Sequence, residues 1–219
     1  MKKSLIFVLM ASILSGALNA GFAMEAKAAD LTEDERDKFE DYLEDNLKED
    51  FFSSKTQGSL YGASFTLADV NDDGHDDLVI TGALGLRTMT FSEVYMHIGN
   101  KYVAVPINGT ISKIDKNSIY VTTEDYEQAG AIRYSYREVF NISKKGKVTC
   151  KLAHKKSVMY YDVDKEKEYP EGRLLSRVFY KDEKKVKKAT YKAELKKYSF
   201  KKLKFKEINE DNIEEAFDD

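Results

Sequence analysis

Five acidic side chains fall within nine positions of the segment FTLADVNDDGHDDLVI, residues 65–80. Carboxylates that close repel one another unless a cation or a proton neutralises them. With Asp69 as position 1, Asn71 and Asp73 stand at 3 and 5, Gly74 at 6, His75 at 7 and Asp77 at 9. On a tightly curled loop, side chains at alternate positions turn inward, so three oxygen donors can converge on one point. A glycine at position 6 allows the left-handed turn that brings the next carbonyl, that of His75, to the same point. Asp77 closes the cage. Hard oxygen donors without sulfur or imidazole select calcium rather than zinc or copper. The alternative is a plain polar turn, since Asp, Asn and Gly are common turn residues. A turn, however, does not require oxygens at 1, 3, 5 and 9 together with Gly at 6.

The loop is not an EF-hand. Position 12 of such a loop is a bidentate Glu, and here it is Ile80, while the flanks SFTLA and DLVIT alternate as strands. The spacing DxNxDGxxD between two strands, with Phe65 before it and Asp77-Leu78 closing it, resembles the calcium loop of FG-GAP and integrin-type repeats over residues 63–84. That resemblance implies calcium ligation by Asp69, Asn71, Asp73, Asp77 and the His75 backbone carbonyl. FG-GAP loops recur around a β-propeller, whereas this chain has one copy, so neither a propeller nor integrin function is implied. A lone loop of this kind also resembles small secreted proteins of gut Firmicutes that carry a single D-x-D/N-x-D-G-x-x-E/D-L segment. The late segment FYKDEKKVKKATYKAELKKY and the terminal NIEEAF extend that similarity, and it brings no activity with it. Three carboxylates and one amide predict weak affinity, Kd about 10⁻⁴ to 10⁻³ M.

Other reactive groups are scattered. His75, His97 and His154 show no zinc spacing. Cys150 and His154 lie four residues apart in a strand pattern, about 13 Å, too far for a nucleophile and its base. Cys150 is the only thiol, so no intramolecular disulfide can form, and its alternation with Val148 and Leu152 predicts a buried strand residue. Glu124, Asp125, Glu127 and Glu138 could in principle supply a glycosidase carboxylate pair, but scattered surface positions explain them better. No nucleophile elbow, phosphate-binding glycine loop or dinucleotide fingerprint occurs in the sequence. The absence of Trp argues against a sugar-stacking platform, while 14 Tyr leave the option open.

Around the loop, the pattern predicts an α+β domain over residues 30–219. MKK, an apolar run and small-residue triplets ending at Ala23 and Ala28 form a signal peptide over residues 1–29. Thr32 and Glu35 form a capping-box pair ahead of an acidic helix whose Phe39, Tyr42, Leu43 and Leu47 make one apolar stripe. From Leu60 to about Lys188 apolar residues alternate, with turns at Gly99-Asn100, Asn108-Gly109, Asp115-Lys116-Asn117, Lys145-Gly146 and Lys181-Asp182-Glu183. Residues 189–198 and a segment from Asn209 predict two late helices. The expected fold is an antiparallel meander sheet with an N-terminal amphipathic helix and C-terminal helices packed against it.

Charge is uneven. Residues 30–50 hold eleven acidic and three basic side chains, and residues 141–208 hold 22 basic and nine acidic ones. Acidic helices lying on a basic sheet would neutralise it. A lysine-rich 181–206 region could instead contact an anionic wall polymer or another extracellular ligand. Secretion excludes nucleic acid as the natural partner, and no transmembrane segment is expected after the leader is cleaved. The sequence therefore predicts a secreted, non-enzymatic calcium-binding module, extracellular or associated with the cell wall. A secreted hydrolase whose groups meet only in three dimensions is the alternative.

Overall fold

In the computed structural model, residues 31–48, 60–84, 89–127 and 131–217 are described. The expected signal peptide lies outside them. Helix α1, Glu33–Lys48, begins at a reciprocal cap. The Glu35 N–H donates to Thr32 Oγ1 at 3.3 Å, while Glu35 Oε2 accepts the Thr32 N–H at 2.9 Å and its hydroxyl at 2.8 Å. Phe39 and Leu43, four residues apart, are fully buried, each contributing about 2 kcal/mol of apolar burial.

The alternating run forms two antiparallel sheets rather than one. Strands β1 (Leu60–Ala68), β2 (Asp77–Leu84), β3 (Met89–Ile98) and β4 (Lys101–Asn108) make a meander, and β12 (Lys206–Glu207) pairs on the free edge of β1. Strands β5 (Thr110–Asp115), β6 (Ser118–Glu127), β7 (Ile132–Ile142), β8 (Val148–Asp162), β9 (Lys167–Lys181) and β10 (Lys184–Val186) make the second. Strand β11 (Lys201–Lys202) closes its β5 edge.

Asn108-Gly109, expected as a turn within one sheet, is where the chain leaves the first sheet for the second. Gly109 has φ +115° and donates its N–H to the Thr90 carbonyl at 2.9 Å. Buried Ser92 staples the crossing: its hydroxyl donates to the Gly109 carbonyl at 2.8 Å and accepts the Ile111 N–H at 3.1 Å.

Four layers result. Val79, Val94, Met96 and Ile107 of the first sheet meet Ile111, Ile119, Val121 and Ile142 of the second in one shared core. The opposite face of the first sheet, with Phe65, Leu67, Leu78 and Ile80, is covered by α1 and by α3, Glu210–Phe217, through Phe39, Leu43, Ile213 and Phe217. The outer face of the second sheet packs Val139, Leu152 and Phe179 against Tyr191 of α2, Lys188–Leu195. Between α2 and α3 the chain straps both sheets, adding β11 to one edge and β12 to the other, with Leu203 buried in the shared core. Lysines on these short edge strands suit positions where another chain could otherwise pair.

Candidate functional site

The acidic loop joins β1 to β2, and the two strands are in register at its base, with Ala68 opposite Asp77 and Leu67 opposite Leu78. Val70 is fully buried in the shared core and Leu78 under the helices, so the loop is anchored at both ends. Its curl depends on two left-handed residues, Asp72 at φ +59° and Gly74 at φ +97°. Asp69 caps the turn: Oδ1 accepts the Asp73 N–H at 3.1 Å and Oδ2 the Gly74 N–H at 3.0 Å. Asp73 Oδ1 accepts the His75 N–H at 3.0 Å. Asp72 and Gly74 are exposed, and Asp76 is partly so.

Two loop residues are buried in a way that a plain turn does not require. Asn71 is 1 % exposed, and its Oδ1 has no hydrogen-bond partner, while its Nδ2 lies 3.9 Å from Met96 Sδ. Asp77 is 2 % exposed, and its carboxyl is pushed up to about 8 by burial, with Asp73, Asp69 and Asp76 adding to the shift against one N–H donor, Val70. A buried carbonyl-type oxygen without a donor costs about 1–3 kcal/mol. A buried carboxylate among like charges is costlier still. Both costs disappear if a cation is bound, so the donor chemistry fits a hard metal ion. Among the described residues, no three His, Cys, Asp or Glu side chains already converge as metal ligands. Asp69 and Asp73 are turned instead to backbone N–H groups of the loop. The five sequence-derived positions thus lie on one short curled segment, with Asn71 and Asp77 on its buried side.

A neighbouring cluster is not visible in the sequence. Glu35, 3 % exposed, lies 3.5 Å from His75 Nδ1 through Oε2 and 3.4 Å from His97 Nδ1 through Oε1. Burial works against its charge, but the two bonds from Thr32 and the two imidazoles outweigh it and hold its carboxyl below the usual range. The cap of α1 is therefore also the clasp between helix, loop and β3. His97 packs its ring on Tyr102 at 4.8 Å, as a partly buried strand residue would. The signal that could have found the cluster is the capping box itself, because its Glu carries more acceptor capacity than Thr32 uses.

The remaining reactive groups stay apart. The Cys150 thiol, half-buried rather than fully buried, is pushed up to about 11, mainly by burial, and is directed at the Leu152 carbonyl, 3.7 Å away. His154 stacks on Phe179 at 4.6 Å. Glu124 and Glu138 project from opposite faces of the second sheet, since Glu124 faces Ser135 across the ladder and Glu138 faces Val121. Glu124 is engaged with Arg133, and Glu127 with the Tyr134 hydroxyl. In the lysine-rich segment, Lys181 and Lys197 both contact Glu194, at 3.1 and 2.8 Å, and Lys206 reaches Glu215 of α3 at 2.8 Å.

Fold and site together define an α+β protein of two stacked antiparallel sheets, helices on both outer faces and one acidic β1–β2 loop. No family model, curated protein or solved structure matches the chain. Among the described residues no helix is long and apolar enough to cross a membrane.

Proposed function

We propose that the Asp69–Asp77 loop binds one calcium ion and that the protein is a secreted, non-enzymatic module whose fold the metal stabilises. The observation that carries this is the buried side of the loop, where an amide oxygen without a partner and a carboxylate burdened by three neighbours lie in one nine-residue segment. The FG-GAP-like spacing supports it, and the leader-like residues 1–29 support an extracellular setting in which calcium is plentiful.

Asp69, Asn71, Asp73, Asp77 and the His75 carbonyl would hold the ion. A bound calcium supplies positive charge that neutralises these carboxylates and fixes the loop. The chain's own part is to keep the register of β1 and β2 and to hold the loop against α1 through Glu35 and His75. Binding that occurs only in the folded state adds its free energy to folding.

The test is thermal unfolding of the mature protein in EDTA and in about 2 mM calcium, alongside Asp73→Ala. A Kd near 10⁻⁴ M adds about 1.8 kcal/mol, or roughly 4 to 7 °C for a domain this size. The wild type should show that rise and Asp73→Ala should not. Equal melting in both buffers would leave residues 69–77 a polar turn and remove this function.

A further inference from the structure

We propose that the outer face of the second sheet, beside α2, is a binding site for a phosphate group, held by Arg137, Lys156 and Arg177 around His154. A cavity of about 480 Å³ lies over β6 to β9, and Arg133, Arg137, His154, Lys156, Tyr160 and Arg177 are among the residues that line it. That volume falls within the ordinary range for small-molecule sites, about 300–1,000 Å³. None of the four cations belongs to the lysine-rich 181–206 segment. They come from three strands, and the register assembles them.

Arg137 on β7 is directly opposite His154 on β8, and Lys156, two residues further along β8, is directly opposite Arg177 on β9. Residues two apart on a strand share a face, so Arg137, Lys156 and Arg177 surround the imidazole. Opposed like charges weaken a sheet, so Lys156 facing Arg177 is a cost that the fold itself does not need. Among the described residues, neither of these two nor Arg137 has an ion-pair partner. Arg133 does, in Glu124, which leaves the other three cations uncompensated.

Polar valence is also left over. His154 Nε2 and Arg133 Nε are buried without hydrogen-bond partners. Burial first, and then Arg177, Arg137, Lys156 and, from α2, Lys188, disfavours a proton on His154, which places Arg137, Lys156 and Arg177 within electrostatic reach of one ring. Guanidinium forks present paired N–H donors that match a tetrahedral oxyanion, and a phosphate brings more charge than a single carboxylate. The ring surface of the lining starts at His154, which stacks on Phe179 at 4.6 Å, and Phe179 in turn packs on Tyr191 at 5.2 Å. Tyr160 and Val158 extend it, so the part of the ligand that carries the phosphate meets ring and aliphatic surface. The phosphate could be a terminal monoester or a diester within a polyol-phosphate chain.

The calcium loop lies on the other sheet, so the two sites are tested separately. Glycerol 3-phosphate and poly(glycerol phosphate) are titrated into the wild-type protein at pH 7, once with calcium and once with EDTA. Arginine side-chain N–H resonances are followed by NMR and affinity by calorimetry. The expected result is saturable shifts of the Arg137 and Arg177 resonances, with affinity falling roughly tenfold or more in Arg137→Gln and in Arg177→Gln. Lys184→Gln/Lys185→Gln, in the lysine-rich segment, should bind as wild type does. Response to the monoester assigns a terminal phosphate, and response to the polymer alone assigns an internal diester. The proposal is overturned if neither probe shifts these resonances, or if both Arg variants, folded by their melting curves, bind undiminished. Should an Arg variant fail to fold, the wild-type resonances and Lys156→Gln decide between the same two outcomes.

Discussion

The Asp77 carboxylate accepts the Val70 N–H at 3.1 Å, which ties the last aspartate of the acidic loop to the residue after its first. Asparagine can keep that bond while removing the charge. Without metal, Asp77 is a buried carboxylate near Asp69, Asp73 and Asp76, so its charge is a liability. Asp77→Asn should therefore melt above the wild type in EDTA and lose the calcium-dependent rise. Melting curves of both proteins in both buffers check this. A lower Tm in EDTA would mean that the carboxylate is compensated within the loop and needs no cation.

Glu35 joins three elements through four contacts: the Thr32 N–H and hydroxyl, His75 and His97. Removing it leaves the Thr32 N–H and hydroxyl without their acceptor, so half of the reciprocal cap is lost, and detaches α1 from the loop. Caps contribute about 1 kcal/mol, and hydrogen bonds to charged groups about 1.5–3. Glu35→Ala should thus lose about 2–3 kcal/mol in urea unfolding, whereas exposed Glu33→Ala should stay within about 0.5 kcal/mol of wild type. Equal losses would show that Glu35 does no more than decorate the first turn.

His154 offers a pH test on the second sheet. It is faced by Arg137 and Lys156 of the sheet, by Arg177 of β9 and by Lys188 of α2, and burial and these charges hold it below the ordinary histidine range. In the unfolded chain it takes up a proton near pH 6.5, while in the fold it resists until lower pH. The unfolded state then binds more protons, and stability falls as pH falls through that window. Wild-type Tm should drop more steeply from pH 7 to 5 than that of His154→Gln. Parallel profiles would place His154 in ordinary solvent.

The curled loop between two strands was legible because its signals are local: the Asp and Asn residues, the glycine and the near ends of both strands lie within residues 65–80. The late helices were legible for the same reason. Asn209 Oδ1 accepts the Asn212 N–H at 2.9 Å at the start of α3, a cap readable from neighbouring residues. What was not legible depends on register between distant strands. Asn108-Gly109 reads as a turn whether its strands pair or part, and only Ser92, far back in β3, decides that they part. Likewise Arg137, Lys156 and Arg177 are unremarkable strand residues until β7, β8 and β9 align them. The lysine-rich segment drew attention by composition, yet Glu194 and Glu215 compensate several of its charges.

The crossing between sheets gives the last prediction. At Gly109 an added Cβ would stand 2.2 Å from Thr123 Oγ1 and 2.8 Å from the Thr122 carbonyl, on a backbone at φ +115° that side chains rarely adopt. Thr123 is itself held there by donating to the Asn108 carbonyl at 3.1 Å, so it cannot turn aside without losing that bond. Strain and overlap together should cost about 3 kcal/mol or more in Gly109→Ala. Gly99, in the β3–β4 hairpin, also has positive φ, +65°, but nothing lies within 4 Å of an added Cβ. Gly99→Ala should lose only about 1 kcal/mol, the left-handed penalty alone. Urea unfolding of the pair measures the difference. Equal costs would mean that the chain does not pass between the sheets at Gly109 as described, and that the two sheets meet by another route.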